Sequence, residues 1–322
     1  MASTKNPPVK EKFKTMIGGQ ALIEGIMMRG PEKDAIVVRT SKGLETEVHP
    51  RKRSSKKSIK SWPFVRGIFN FFDSQAVGIK ALMRSADLAP EEMQEEPSKF
   101  DKWLEKVLGN ETFQKVIVGI AMVLGVGLSV LLFFLLPMVI SGFLDGVIKS
   151  NLMLNLVEGI IRMVIFVAYM ALISRMGEMK RVFGYHGAEH KTIRCYEAGL
   201  PLTVENVRPQ PKHHPRCGPS FLFVVIFVSI LVSSVVFGIW PITNAGLRTL
   251  VHLLLLPLVV GITYEFNRWV GRHVQESRLA QLLTAPGMWM QNFTTNEPDD
   301  SMIECAIRSL ELVLPDEKGC LL

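Results

Sequence analysis

The sequence predicts an α-helical integral membrane bundle of four spans. To it are joined a small N-terminal β element, an amphipathic interfacial helix and a cytoplasmic α-helical C-terminal segment. Three observations predict this class. Four apolar segments each reach the roughly 20 residues that cross a bilayer. Lysine and arginine concentrate in the polar segments around them. The N-terminal residues alternate short β-branched runs with turn signals.

The expected spans are Val116 to Phe143, Leu152 to Ile173, Phe221 to Trp240 and Leu247 to Tyr264, within a membrane domain over residues 113–266. Pro137 and Pro257 are tolerable inside them, because neighbouring groups in a bundle re-satisfy the freed backbone. Buried helices of a soluble protein are the rival reading. Long apolar runs of low charge, found four times in a chain that is 48% hydrophobic, argue against it. The basic residues then set the orientation. They lie in HPRKRSSKKSIK before the spans and at Lys180, Arg181, Lys191, Arg194, Arg208, Lys212 and Arg216 between spans two and three. Arg268 and Arg272 follow span four. Four spans put these three regions on one side, and basic flanks mark the cytoplasmic side. Both termini and the loop over residues 176–219 are therefore expected in the cytoplasm. The four cysteines show no paired spacing, which fits a reducing compartment. The opening MASTKNPPVKEKFK has no apolar core, so no secretory signal is expected there.

Around the spans, residues 1–60 read as the β element and a basic run. LIEGIMM, AIVVRT and LETEV are the strand-like stretches, with Gly30-Pro31 and Lys42-Gly43 as turns. The basic run over 51–57 is expected to meet anionic lipid. Residues 61–89 form one amphipathic helix, with Phe64, Val65, Ile68, Phe69, Phe72, Ala76, Ile79 and Met83 on its apolar stripe. Lipid within reach of a membrane-tied segment displaces nucleic acid as the expected partner, and the net charge of +7 reads first as a topology signal. Residues 90–112 are an acidic linker. In the C-terminal segment, 267–322, a helix from Gln275 to Leu283 should stop at Ala285-Pro286-Gly287. A last helix should start at Asp299 or Asp300 and dock through Met302, Ile303, Ala306, Ile307 and Leu310.

The chemistry-bearing stretch is FGYHGAEHKTIRCYEAG, at 183–199. On a helix His186 and His190 share a face one turn apart, with Glu189 beside them. The order H-x-x-E-H is that of the inverzincin metalloproteases. There two imidazoles hold zinc, a carboxylate acts as base on water, and a third protein ligand completes the set. Gly187 weakens such a helix by about 1 kcal/mol relative to alanine. Further ligand-type residues follow in the same loop: Cys195, Glu197, His213, His214 and Cys217. HHPRC, at 213–217, with Cys195 is a second, structural zinc arrangement. Glu265 at the end of span four is either the third ligand or the partner of Arg268. Glu158, Arg162 and His252, with Arg248, form a polar network within the spans, read as a structural buried network or as the lining of a polar cavity.

GGQALIEGIMMRGP (18–31), YHGAEHKTIRCYE (185–197), PLTVENVRPQPKHHPRCGPSFL (201–222) and TTNEPDD (294–300) resemble the YqhQ-type bacterial membrane proteins, the domain-of-unknown-function family 1385. The resemblance runs from about Gly18 to the final helix. It implies a bacterial cell membrane location and a metal-dependent enzyme. It also implies His186, Glu189, His190, His213, His214 and Cys217 as the metal residues, with zinc or another divalent metal as cofactor. The chain lacks the large peptidase domain of inverzincins, so no peptidase reaction follows. Three functions stay open: a metal-dependent hydrolase with Glu189 activating water, a zinc-stapled docking module for a membrane-protein partner, and a transporter or channel using the span network. A homo-oligomer is compatible with each.

Overall fold

The computed structural model describes Thr15 and residues 17–51, 61–89, 110–144, 146–242, 244–274 and 276–314. The basic run beyond Arg51, the acidic linker up to residue 109 and the expected helix start at Gln275 lie outside the described residues. The chain divides into two compact units. One comprises Met1–Ala89, Tyr169–Val228 and Pro257–Leu322; the other comprises Pro90–Ala168 and Ser229–Leu256.

The first unit is built on a four-stranded antiparallel meander: β1 (Gly18–Leu22), β2 (Gly25–Arg29), β3 (Lys33–Thr40) and β4 (Gly43–Pro50), in that spatial order. Gln20 pairs with Met27, Met27 with Ile36, and Ile36 with Glu47. LIEGIMM is not one strand. Ile23 and Glu24 turn it back on itself, and Glu24 takes φ 50°, a left-handed conformation uncommon outside glycine. The cause is tertiary. Buried Glu24 is held by both nitrogens of the Arg181 fork and by the Tyr185 hydroxyl, 3.2 Å away.

The sheet is covered on both faces, which is why β2 and β3 read as continuous apolar runs. Ile26, Met28, Ala35 and Val37 face one core, shared with α5 (Gly177–Glu197) and α10 (Asp300–Val313). Leu22, Met27, Ile36 and Val38 face another, closed by Ala81 of α1 (Val65–Leu88). Helix α1 docks with small residues. A side chain on Gly78 would meet Gln20 at 2.2 Å, and one on Gly67 would meet Tyr264 at 2.6 Å. Its large stripe stays outside: Phe69, Phe72, Ile79 and Met83 are exposed.

Among the described residues, four helices are long and apolar enough to cross a membrane: Val116–Gly142, Asn151–Ile173, Ser220–Ile239 and Gly246–His273. The first comprises α2 (Asn110–Val130), a π turn at Leu131–Leu135 and α3 (Leu136–Gly142). The π turn lies directly before Pro137, whose missing N–H breaks the regular ladder. The others are α4 (Asn151–Ile173), α7 (Gly218–Ile239) and α8 (Ala245–His273). Helix α8 continues past Tyr264 because its polar extension finds partners within the first unit. Glu265 accepts from Arg66 and from the Phe64 N–H.

The short helix α6 (Val204–Val207) follows α5, and α9 (Arg278–Thr294) precedes α10. Helix α9 does not stop at Pro286. It starts at Ser277, whose hydroxyl caps Ala280 N–H, and runs on to Thr294. Gly287 lets it approach α7 closely: a side chain there would meet Ser220 at 2.9 Å, and the Ser220 hydroxyl donates to the Gly287 carbonyl. That tertiary contact outweighs the proline's local penalty. Asp299 caps α10 by accepting from Met302 N–H at 3.0 Å.

Candidate metal centre

Helix α5 carries the H-x-x-E-H stretch in unbroken helix, despite Gly187. The glycine is required by packing. A side chain there would come within 2.1 Å of the Asn296 carbonyl. The TTNEPDD segment runs along α5 at this point, with Asn296 N–H on the Phe183 carbonyl at 2.8 Å and its side chain donating to Lys180 O.

That close approach orients the first imidazole. His186 Nδ1 lies 2.7 Å from the Thr294 carbonyl, and His190 Nδ1 lies 2.6 Å from the Lys212 carbonyl. A carbonyl only accepts, so each Nδ1 carries the hydrogen and each Nε2 presents a lone pair. This is the usual arrangement around a metal-binding histidine. The two rings are 4.3 Å apart by centroid. Cys217, directly before α7, brings its Sγ to 3.2 Å from His186 Nε2. Among the described residues, His186, His190 and Cys217 form a buried group whose ligand atoms lie within 4.8 Å of one another.

Burial depresses the proton affinity of both imidazoles, and for His190 the neighbouring His186 and His214 add to it. Both are therefore neutral, the form that binds metal. Burial pushes the Cys217 thiol well up, with the Glu189 charge adding to it. Glu189 lines the same cavity of about 70 Å³, opposite Gly18 and Gly19. Burial pushes its carboxyl up to about 8, against the backbone N–H of Gly19. Its Oε2 is buried without a hydrogen-bond partner. A side chain on Gly19 would press on the Glu189 carboxyl at 2.8 Å, so a glycine must stand there.

The remaining candidates divide. His214 lines the cavity, but its Nε2 faces Glu197 at 3.6 Å, and its imidazole is lowered to about 4 by burial against that carboxylate's pull. Glu197 is fully buried. It accepts from the Thr15 N–H and hydroxyl and from Arg216, and these partners with His214 hold it at about 2 despite burial. His213 is not in the ligand group: its carbonyl accepts from Arg194, and its ring sits beside Asn292. Cys195 packs in the core beneath the sheet, 3.6 Å from the Pro201 carbonyl, so HHPRC does not close on it. Glu265 is not at the centre either. It is bound by Arg66, a residue 199 positions earlier, rather than by Arg268. Within the second unit, Arg162 donates to Glu158 at 2.8 Å, and His252 Nε2 stands 3.7 Å from the same carboxylate.

Three residues that shape the cavity escaped the sequence reading: Gln291, Gly18 and Gly19. Gln291 of α9, fully buried, accepts from His214 N–H and donates to His214 O, each at 2.8 Å. It fixes the loop that delivers Cys217, and no local pattern announces it. Gly18 and Gly19 carried a signal that went unread, since glycine in a strand can mark close backbone approach.

Residues 62–316 match the family model described as "Protein of unknown function (DUF1385)". "Uncharacterized protein YqhQ" of Bacillus subtilis (strain 168) is 33% identical over 309 residues, covering 95% of this chain and 94% of the relative. No solved structure matches the chain.

Proposed function

The chain belongs to the DUF1385 family, and we propose that it is a multi-pass membrane protein carrying a divalent-metal centre at the cytoplasmic face, with hydrolytic chemistry assisted by Glu189. One observation carries the reading. Two neutral imidazoles, each oriented by a main-chain carbonyl, converge with a thiol on one point, and a partnerless carboxylate oxygen shares their cavity. Two nitrogens and one sulfur suit zinc above magnesium or calcium. Three protein ligands leave a position open, as catalytic zinc sites do. The four apolar helices and the basic residues around them support the bacterial cell membrane and cytoplasmic termini.

An ion of the zinc class held by this set would supply Lewis acidity, polarising a carbonyl or phosphoryl oxygen and favouring ionisation of water. His186 and His190 hold their orientation through Thr294 and Lys212. Glu189 is the proton-transfer group: with its affinity raised to about 8 it is mostly the acid at neutral pH, suited to donate to a leaving group, and only its ionised fraction accepts a proton from water. Gly18 and Gly19 wall the cavity on the β1 side.

A second reading is favoured by the cavity's size. About 70 Å³ admits an ion and a few waters but no extended substrate. Under it the centre is a zinc staple that holds the loop before α7 as a docking surface for a membrane-protein partner. One experiment separates the two. Zinc is counted by elemental analysis on full-length, detergent-purified wild type and the variants His186→Ala, His190→Ala, Cys217→Ala and Glu189→Gln, and the zinc-loaded proteins are assayed on chromogenic esters and phosphoesters. The hydrolase reading expects near-stoichiometric zinc, lost in the first three variants and kept in Glu189→Gln, whose hydrolysis falls about 10²–10⁴-fold. Zinc without hydrolysis leaves the staple. Folded wild type that takes up no metal overturns both.

A further inference from the structure

A second buried polar cluster lies wholly in the unit formed by Pro90–Ala168 and Ser229–Leu256, and the centre at His186 makes no use of it. Asn155, Glu158 and Arg162 come from α4; Arg248 and His252 come from α8. Asn155, Glu158, Arg162 and His252 are buried, and the Arg248 side chain is 14% exposed.

The cluster is unbalanced in two ways. Among the described residues it sets two guanidiniums against one carboxylate. Each of its acceptor oxygens also already takes an N–H. Glu158 Oε1 takes Arg162 Nη2 at 2.8 Å, Glu158 Oε2 takes Arg248 Nη2 at 2.5 Å, and Asn155 Oδ1 takes Arg248 Nη2 at 2.7 Å. Donors are left over: among the described residues, Arg162 Nε, Arg248 Nε and Asn155 Nδ2 are buried with no partner. His252 Nε2 is also without a hydrogen bond. Buried donors without acceptors are costly, and an uncompensated cation among apolar helices more so. The aromatic rings do not cure this. Phe134 lies 5.3 Å from the Arg162 guanidinium carbon and Phe237 lies 4.7 Å from that of Arg248. They cover the flat faces and fix the orientation, leaving the N–H edges to a ligand. Water would accept those bonds but bring no charge. An anion with several oxygens does both, and guanidinium edges are shaped for it.

We infer that Arg162, Arg248 and Asn155 form a binding site for one phosphate-class oxyanion. Arg248 and Asn155 fit a ligand reached from one end of the bundle: Arg248 is three residues into α8 and Asn155 four into α4, roughly 4–6 Å along each helix, while Arg162 is rooted eleven residues into α4, roughly 16 Å along it, and reaches Glu158 one turn back towards that end. At that level of a span the phosphate comes either from a lipid headgroup or from solution.

The test uses the full-length protein, delipidated in detergent, and reads its thermal midpoint. The probes are inorganic phosphate against chloride at matched ionic strength, and micelles containing phosphatidylglycerol against micelles containing diacylglycerol. The inference expects a saturable rise with a phosphate-bearing probe and none with chloride or diacylglycerol. A response to inorganic phosphate marks a soluble anion; a response to phosphatidylglycerol alone marks a headgroup. Arg248→Gln should raise the half-saturating concentration at least tenfold, and Arg248→Lys, which keeps the charge, should raise it less. Wild type that responds saturably to neither phosphate probe overturns the site, whatever the variants do. So does Arg248→Gln responding as wild type does.

Discussion

The two buried polar clusters differ in what their side chains offer. At His186, His190 and Cys217 the groups are lone pairs and a thiol, all in their neutral form, a set that suits a cation. At Arg162, Arg248 and Asn155 the groups are N–H donors, a set that suits an anion. The first cluster is anchored through main-chain carbonyls and Gln291. The second is anchored by its own ion pairs and by two phenylalanine rings. Preorganisation by backbone suits a tight, selective ligand; charge pairing suits an exchangeable one.

Four outcomes would break or sharpen that contrast, from the largest effect to the smallest. Removing one lone pair should empty the first cluster: His190→Ala is expected to lower zinc affinity more than 100-fold, measured by competition with a chromogenic chelator, with the helical circular dichroism retained. In the second cluster the Glu158 carboxylate is the keystone. Glu158→Gln leaves two buried guanidiniums facing each other and should cost about 3–5 kcal/mol, seen as a fall in the heat-aggregation midpoint in detergent. A variant as stable as wild type would mean that the network is not held by charge.

The third outcome is a pH dependence. An unfolded imidazole gains its proton near 6.5, whereas folded His214 gains it only near 4. Between those values the unfolded chain binds more protons, so stability falls as pH falls from about 6.5 to about 4. His214 alone is worth on the order of 3 kcal/mol over that window. Glu197, held at about 2, is already charged in the folded state where the unfolded carboxylate is protonated, and adds a further loss below about 4.5. The check is the thermal midpoint of chelator-treated protein from pH 7.5 to 4; a flat profile would contradict it. The smallest effect is expected from Gln291→Ala. It strands the His214 main-chain groups for about 1–3 kcal/mol and weakens zinc by about tenfold through the loop that carries Cys217. The same calorimetric and chelator readings apply.

Much of the fold was legible because its signals are local. Four long apolar runs, the H-x-x-E-H face and the Asp299 cap each depend on residues within a few turns of one another. What was misread depended on distant partners. Glu24 turns a hairpin inside LIEGIMM because Arg181 and Tyr185 receive it. Helix α9 passes Pro286 because Ser220 meets Gly287. The α1 stripe was visible, but its docking face of Gly67, Gly78, Ala81 and Ser85 was not, since small residues carry almost no hydrophobic signal.

The candidate centre divides in the same way. The sequence by itself determined that His186, Glu189 and His190 share one side of a helix, because 3.6 residues per turn fixes that face wherever the helix goes. Only the tertiary structure decided which other side chain joins them. Of His213, His214, Cys217 and Glu265, Cys217 is the one joined to the two histidines, because the packing of α9 and the 294–299 segment aims the loop before α7. Helical periodicity is set by backbone geometry within a turn. Convergence of segments tens of residues apart is set by which glycines let backbones touch and which buried polar groups must find partners, and neither is written in any one stretch of the chain.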